Sequence, residues 1–188
     1  MNSTYPAFDP VSADLLQSIV DVARAIFGAA ASSVFLYDEE AGDLIFQAVS
    51  GAGEGELVGR RFPAEGGIAG WVLATGEPIV VDNLASNPAF NRGLAESTRY
   101  VPDSMMAAPL VHGGRVLGVL EVLDPVAQAR SSLNELDLLA LFARQAAAAL
   151  RVVVDRRPGA ASGLDREGRD TALHLVRSLQ RLLEPALS

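Results

Sequence analysis

The stretch SMMAAPLVHGGRVLGVLEVL, residues 104–123, predicts a pair of strands joined by a tight turn. Its two apolar runs, 104–111 and 115–123, flank His112-Gly113-Gly114, and two adjacent glycines suit the tight turn of a β-hairpin. Strands joined by a hairpin lie antiparallel, whereas neighbouring parallel strands need a long crossover between them. The stretch therefore predicts an antiparallel sheet and argues against a doubly wound parallel one.

The preceding residues predict further strands and a short helix. Two β-rich runs, Val34–Tyr37 and Leu44–Val49, flank an acidic turn that contains Gly42, which is typical of a second hairpin. Residues 65–76 indicate a short helix that ends at a glycine, and Ile79–Val81 forms one more strand after a proline.

Long amphipathic helices are predicted at both ends of this sheet. The first begins at Asp9-Pro10 and ends near Gly28, and the last begins at the N-cap candidate Ser131. We expect both helices on one face of the sheet, and a long polar loop over 82–103. This arrangement is an α+β fold with a central antiparallel sheet.

The same patterns divide the chain into four segments. Residues 1–10 are expected to be disordered, and 11–154 form one domain that includes its flanking helices. A Pro/Gly-rich stretch, 155–163, predicts a linker, and 164–188 a C-terminal amphipathic helix. Whether that last helix folds back or exchanges with a second subunit stays open.

The composition of the chain disfavours or excludes several classes of function. The chain is 49% apolar with a net charge of −8, which disfavours binding to nucleic acids or anionic membranes. Cysteine is absent, which excludes disulfides, thiolate metal sites and thiol nucleophiles. The sequence also lacks a signal-peptide pattern and a long uncharged apolar run, so a cytoplasmic location is expected.

Four stretches resemble the GAF family and together cover roughly residues 11–154. They are ASSVFLYDEEAGDLIFQAVSG, FPAEGGIAGWVLATGEPIVVDNLASNPAF, SMMAAPLVHGGRVLGVLEVLDP and LNELDLLALFARQAAAAL. The second nearly reproduces the family pattern Gly-x-x-Gly-x-x-x-x-Thr-Gly-x-Pro through Gly67, Gly70, Thr75, Gly76 and Pro78. The third is similar to the family's Pro-Leu, turn, Gly-Val-Leu pattern.

The resemblance implies a sensor of small molecules or a unit that only dimerises, and the fold alone does not select between them. One branch of the family reduces free methionine sulfoxide with cysteines, and covalent bilin attachment also needs a cysteine, so this chain suits neither. The Asn-Lys-Phe-Asp-Glu signature of the cyclic-nucleotide-binding branch is absent. Cyclic-nucleotide binding is therefore the less favoured alternative.

In the family a ligand lies on the sheet face beneath the short helix and the long loop. Mapped onto this chain, that implies a cavity lined by aromatic and methionine side chains, with two polar residues at its rim; the candidates are Phe35, Tyr37, Trp71, Phe90, Tyr100, Met105 and Met106, and at the rim Asp82 and Asn83. Such side chains line adaptable small-molecule pockets. The alternative is that they fill a ligandless core.

No catalytic or metal site is predicted. His112 is expected at an exposed turn and His174 on a surface helix, so neither suits a haem ligand or phospho-acceptor. Asp82, Glu121 and Asp124 are interpreted as ordinary strand-end acids unless a pocket shows otherwise. A hydrolase or transferase would need Asp82 or Glu121 in a cleft beside a partner base.

The sequence thus predicts a non-catalytic regulatory domain in bacterial-type signal transduction. Its expected partners are a small-molecule ligand of unknown identity, a second copy of the chain and a downstream signalling protein. The terminal helices would mediate dimerisation, for which residues 146–149 offer a small-residue surface. The alternative is a structural interaction module with a filled core.

Overall fold

The computed structural model describes residues 10–52, 55, 57–90, 93, 96, 100–126 and 134–154. The chain divides into two compact units, 1–154 and 155–188. The predicted disordered segment 1–10, except for Pro10, lies outside the described residues. So do the linker 155–163, the C-terminal helix 164–188 and His174.

A six-stranded antiparallel sheet forms the centre of the first unit, with the strand order β3-β2-β1-β6-β5-β4. The elements in chain order are α1 (Pro10–Phe27), β1 (Ala31–Asp38), β2 (Asp43–Gly51), β3 (Arg61–Pro63), α2 (Gly67–Thr75), β4 (Ile79–Asp82), a 3₁₀ turn (Leu84–Ser86), β5 (Ser104–His112), β6 (Arg115–Leu123) and α3 (Glu135–Val154). This confirms the predicted α+β fold.

Both predicted hairpins are present. The β5–β6 turn places Gly113 and Gly114 at φ 58° and 76°, a left-handed conformation that glycine adopts without steric cost. His112 is exposed beside this turn, as predicted. Strands β1 and β6 pair at the middle of the sheet, where Ser33 lies opposite Glu121.

One face of the sheet is covered by α1 and α3, which contact each other and the strands. The apolar residues of this helix-side core come from both helices and from alternate strand positions; they include Leu16, Val20, Phe27, Val34, Leu120, Val122, Met106, Leu139, Ala143 and Leu150. Leu16, Val20 and Leu139 are at most 1% exposed. This packing confirms the expected placement of the terminal helices on one face.

The other face is covered by α2 and the loop that follows β4. Helix α2 ends at Gly76 (φ 69°), whose N–H donates to Val72 O at 2.9 Å, so the predicted glycine stop is present. Gly70 lies so close to Ala64 that a Cβ there would be 2.4 Å from the Ala64 carbonyl oxygen. Helix α2 therefore lies directly against the segment that follows β3.

Two details of α3 refine the sequence-based interpretation. The helix begins at Glu135, directly after Asn134. The Asn134 Oδ1 accepts a hydrogen bond from Leu136 N at 3.1 Å and so caps the N-terminus of the helix. The expected cap, Ser131, lies outside the described residues. Ala146 and Ala147 are buried in the helix-side core, so half of the small-residue surface expected at 146–149 packs within the chain.

Candidate functional site

A cavity of about 410 Å³ lies between the α2 face of the sheet, α2 and the loop after β4. The walls of the cavity come from five strands (β1, β2, β3, β5 and β6), from the start of α2 and from the loop. The lining residues include Ala31, Ser32, Ser33, Phe35, Phe46, Val49, Leu57, Phe62, Gly66, Gly67, Ile68, Ala69, Ala89, Phe90, Tyr100, Pro102, Met105, Glu121 and Leu123. Its volume lies within the range of small-molecule binding sites.

Three phenylalanines form an aromatic wall of this cavity. The ring centroids of Phe35 and Phe46 are 4.3 Å apart, and Phe62 lies 5.3 Å from Phe35 in an edge-to-face arrangement. Phe35 and Phe46 oppose each other on β1 and β2, where cross-strand aromatic pairs stabilise a sheet. The wall offers a preformed apolar surface to a ligand.

Glu121 places a carboxyl group in this mostly apolar lining. The residue is 8% exposed on β6, opposite Ser33 of β1, and both residues line the cavity. Burial raises the pKa of Glu121 from 4.5 to about 8, while a hydrogen bond with the Ser33 side chain acts in the opposite direction. The carboxyl is therefore mostly protonated at neutral pH.

The neighbouring Ser32 stabilises the backbone at this point. Its Oγ donates to the Glu121 carbonyl oxygen at 2.9 Å, and the side chain is fully buried. The hydroxyl thus has a partner, and the position of Glu121 on β6 is fixed from the strand beside it.

Asp124 ties the loop to the end of the β5–β6 pair. Its Oδ1 accepts hydrogen bonds from the backbone N–H groups of Asp103 and Ser104, both at 2.9 Å, and its Oδ2 accepts one from the Tyr100 hydroxyl. Burial, together with the Asp124 carboxylate, raises the pKa of Tyr100. Tyr100 is thereby held as a neutral donor at the cavity wall.

The cavity holds no basic side chain among the residues that are described as its lining. Its titratable groups in that lining are Glu121 and Tyr100, both acids. In the described part of the chain, no cluster of three or more His, Asp or Glu side chains offers a metal site. The hydroxyl groups in the described lining belong to Ser32, Ser33 and Tyr100.

The structure brings together four of the nine residues expected at the site. Phe35, Phe90, Tyr100 and Met105 line the cavity. Tyr37 is partly buried against the same core cluster but lies outside the lining.

The other four candidates lie away from the cavity lining. Met106 faces α1 and α3 because it follows Met105 on β5 and successive strand residues point to opposite faces. Trp71 is 45% exposed on the outer side of α2. Asp82 and Asn83 are exposed at the end of β4. Met106 and Trp71 thus lie elsewhere than expected, whereas the exposure of Asp82 and Asn83 does not contradict a position at the rim.

Ser33 was not among the residues predicted at the site, and Glu121 was interpreted as an ordinary strand-end acid. Glu121 is a lone acid within the apolar strand RVLGVLEVL, and an isolated charge in a strand covered on both faces is a signal for a functional group. Ser33 had no such signal, because only the β1–β6 register reveals that it faces Glu121.

None of the helices in the described part of the chain has the length and apolar character needed to cross a membrane. The fold agrees with the comparisons to known proteins. A probable 3′,5′-cyclic phosphodiesterase of Caenorhabditis elegans is 27% identical over 129 residues, which are 62% of this chain and 17% of that protein. The chain thus spans less than a fifth of the length of that relative.

Two solved structures share the fold at low sequence identity. The GAF domain of a phosphoenolpyruvate-protein phosphotransferase from Coxiella burnetii is 22% identical with a TM-score of 0.67, covering 81% of this chain and 88% of that one. The free methionine-R-sulfoxide reductase of Neisseria meningitidis, solved with its substrate, is 23% identical with a TM-score of 0.57, covering 80% of each chain.

The family model described as GAF domain matches residues 13–150, which is more than half of the 188 residues. GAF domains are generally regulatory sensor domains of signalling proteins. The chain belongs to the GAF domain family.

Proposed function

We propose that this chain is a non-catalytic sensor domain that binds a small ligand in the cavity beneath α2. The observation that carries this proposal is the preformed space of about 410 Å³ with its aromatic wall. A ligandless core would be closed by side chains, since protein interiors leave few voids larger than a water molecule. The volume therefore favours a sensor over the alternative of a filled interaction module.

The side chains that line the cavity indicate the chemistry of the larger part of the ligand, here called its body. Phe35, Phe46 and Phe62 present aromatic surface, and Ile68 and Met105 add aliphatic surface. Burial of apolar ligand surface against such side chains provides the main favourable contribution to binding. We expect a ligand with a flat or bulky apolar body.

The described lining and the composition argue against three alternatives. A cyclic nucleotide, suggested by the name of the phosphodiesterase relative, carries a phosphate, and no basic side chain appears among the described lining residues. Reduction of methionine sulfoxide by cysteines does not suit a chain without cysteine. Asp82, one of the two acids considered for hydrolysis, is exposed outside the cavity lining.

Occupation of the cavity is tested with Ala69→Met, because Ala69 lines the cavity and a longer side chain there takes up ligand space. The matched control is Ala74→Met on the exposed side of the same helix. Binding of the uncharged fluorophore N-phenylnaphthylamine is measured by fluorescence titration. We expect affinity to fall about tenfold or more in Ala69→Met, which corresponds to at least ~1.4 kcal/mol, and to stay unchanged in Ala74→Met.

Equal affinities for the wild type and both variants would contradict binding in this cavity. A native mass spectrum of the gently purified protein adds an independent observation, since a retained small molecule appears as extra mass. Cyclic GMP and cyclic AMP are included in the titrations, and tight binding of either would replace the apolar-ligand proposal with the nucleotide alternative.

A second role, homodimerisation through α1 and α3, is favoured by apolar side chains outside the core. Val22 of α1 is 43% exposed and Leu141 of α3 is 50% exposed. Leu15, Ile26 and Phe142 are only partly buried against the helix-side core. These positions give each helix an apolar flank beside its core-facing stripe, which suits packing against the same helices of a second copy.

A further inference from the structure

We propose that Glu121 and Ser33 form a recognition point for a cationic nitrogen, so that the ligand combines an apolar body with an amine or amidinium group. This inference rests on the proposed function, because it names the ligand class of the same cavity. Its first support is position: both side chains come from paired residues of the two central strands and line the cavity.

Most other polar groups at the cavity have partners within the chain. The Ser32 hydroxyl donates to the Glu121 carbonyl oxygen, and the Tyr100 hydroxyl donates to Asp124. The Glu121 carboxyl has its hydrogen bond with Ser33, which leaves further lone pairs of an ionised carboxylate to accept donors from a ligand. A nitrogen with two or more N–H groups matches that acceptor.

The electrostatics of the cavity favour a cation over an anion. No basic side chain is found in the described lining, and the whole chain has a net charge of −8. An ionised Glu121 would therefore have no positive partner among the described lining residues, and a buried charge without a partner is strongly disfavoured. A cationic ligand supplies that partner, whereas an anionic ligand adds repulsion.

The cost of ionising Glu121 is small enough for a ligand to overcome. Burial raises the pKa of Glu121 to about 8, so the carboxyl must lose its proton before it can pair with a cation at pH 7. This step lowers the affinity of the cavity for a cationic ligand by about tenfold. Charge-assisted hydrogen bonds to a buried carboxylate contribute more than this factor. Binding of the cation then releases the carboxyl proton to the solvent, and the salt bridge replaces the neutral acid.

The neighbouring elements contain no competing titratable group at this point. Among the described lining residues, β1, β2, β3, β5 and α2 contribute none, and the loop contributes Tyr100. Tyr100 stays neutral near pH 7 because its pKa is raised. The proton released on binding is therefore assigned to Glu121.

The test compares three naphthalene derivatives of nearly the same shape: the carboxamidine, the carboxamide and the carboxylate. Isothermal titration calorimetry at pH 7 in two buffers of different ionisation enthalpy gives both affinity and proton release. For the wild type we expect the amidine to bind at least tenfold more tightly than the amide, with release of nearly one proton. The carboxylate is expected to bind most weakly.

The variant Glu121→Gln keeps the shape of the protonated acid and removes its ability to ionise. We expect it to bind the amide as the wild type does and to lose the tenfold preference for the amidine together with the proton release. Glu77→Gln is the matched control, since it removes one acid at an exposed position outside the cavity lining. Glu77→Gln is expected to behave as the wild type. Circular dichroism spectra of both variants are compared with that of the wild type to check that they fold.

Two results would overturn the inference. The first would leave the proposed sensor cavity intact, and the second would not. If the amide and amidine bind equally, or the amidine binds without proton release, the recognition point is wrong while the sensor cavity stands. If neither these compounds nor N-phenylnaphthylamine binds the wild type, the cavity proposal itself fails. Ser33→Ala provides a further check, with the amidine weakened only a few-fold and proton release retained.

Discussion

Glu121 couples the stability of the fold to pH through the protonation of one buried side chain. In the unfolded chain its carboxyl ionises near 4.5, whereas in the folded chain burial raises the pKa to about 8. Between these values the folded state holds more protons than the unfolded state. The contribution of Glu121 to the free energy of unfolding must therefore fall as the pH rises through this window.

The substitution Glu121→Gln removes this dependence. Subtracting the unfolding free energy of the variant from that of the wild type isolates the contribution of Glu121. We expect this difference to fall by about 1.4 kcal/mol for each pH unit between about 5 and 8, and to level off on either side. Urea denaturation at four pH values measures it, and Glu77→Gln serves as the surface control. Parallel curves for the wild type and Glu121→Gln would show that Glu121 is ionised in the folded protein.

The loop that follows β4 is fastened to the sheet by a small set of polar contacts. Asp124 adopts a left-handed conformation at φ 48°, which aspartate tolerates better than most residues. Its carboxylate accepts hydrogen bonds from two backbone N–H groups and from Tyr100. Tyr100 is thereby placed at the cavity wall, so loop position and cavity shape depend on the same contacts.

Tyr100→Phe tests this attachment by deleting one hydroxyl. A hydrogen bond to a charged group contributes about 1.5–3 kcal/mol, so we expect a loss of stability in this range. Hydrogen exchange is expected to become faster in residues 100–104, while the remainder of β5 stays protected. Tyr37→Phe, on β1 outside the cavity lining, is the control and should change stability by less than about 0.5 kcal/mol. Equal effects of the two substitutions would contradict a special role for the Tyr100–Asp124 contact.

Elements were predictable from the sequence where local chemistry determines them. Gly76 ends α2 and Gly113-Gly114 turns the β5–β6 hairpin because each adopts a left-handed conformation that glycine permits. The family resemblance then supplied the order of the layers. Both kinds of signal depend on short stretches of chain, which is why the fold was predicted correctly.

The site was predicted less completely because it depends on pairing between distant strands. Alternation places Met105 and Met106 on opposite faces, but both faces are apolar, so the sequence does not say which methionine faces the cavity. The exposure of Trp71 likewise depends on how α2 is rotated against the sheet. The pairing of Ser33 with Glu121 joins residues almost ninety positions apart.

For the domain as a whole, the single sheet links the cavity to the terminal helices. On β6, Glu121 lines the cavity while its neighbours Leu120 and Val122 belong to the helix-side core. A ligand that moves β6 would therefore also move Leu120 and Val122, which are part of the helix-side core. Such a small shift is a recognised form of signal transfer when the helices also form a dimer interface.

Dimerisation is tested with Val22→Glu, which places a charge on the exposed apolar flank of α1. Ala13→Glu is the matched control, because it adds the same charge at an exposed position of the same helix, about two and a half turns from Val22 and therefore on the opposite side. We expect light scattering after size exclusion to give twice the chain mass for the wild type and Ala13→Glu. Val22→Glu should be monomeric at the same concentration, since a charge buried in an interface without a partner is strongly unfavourable. A monomeric wild type would exclude the dimer under these conditions, and a dimeric Val22→Glu would move the interface away from this flank.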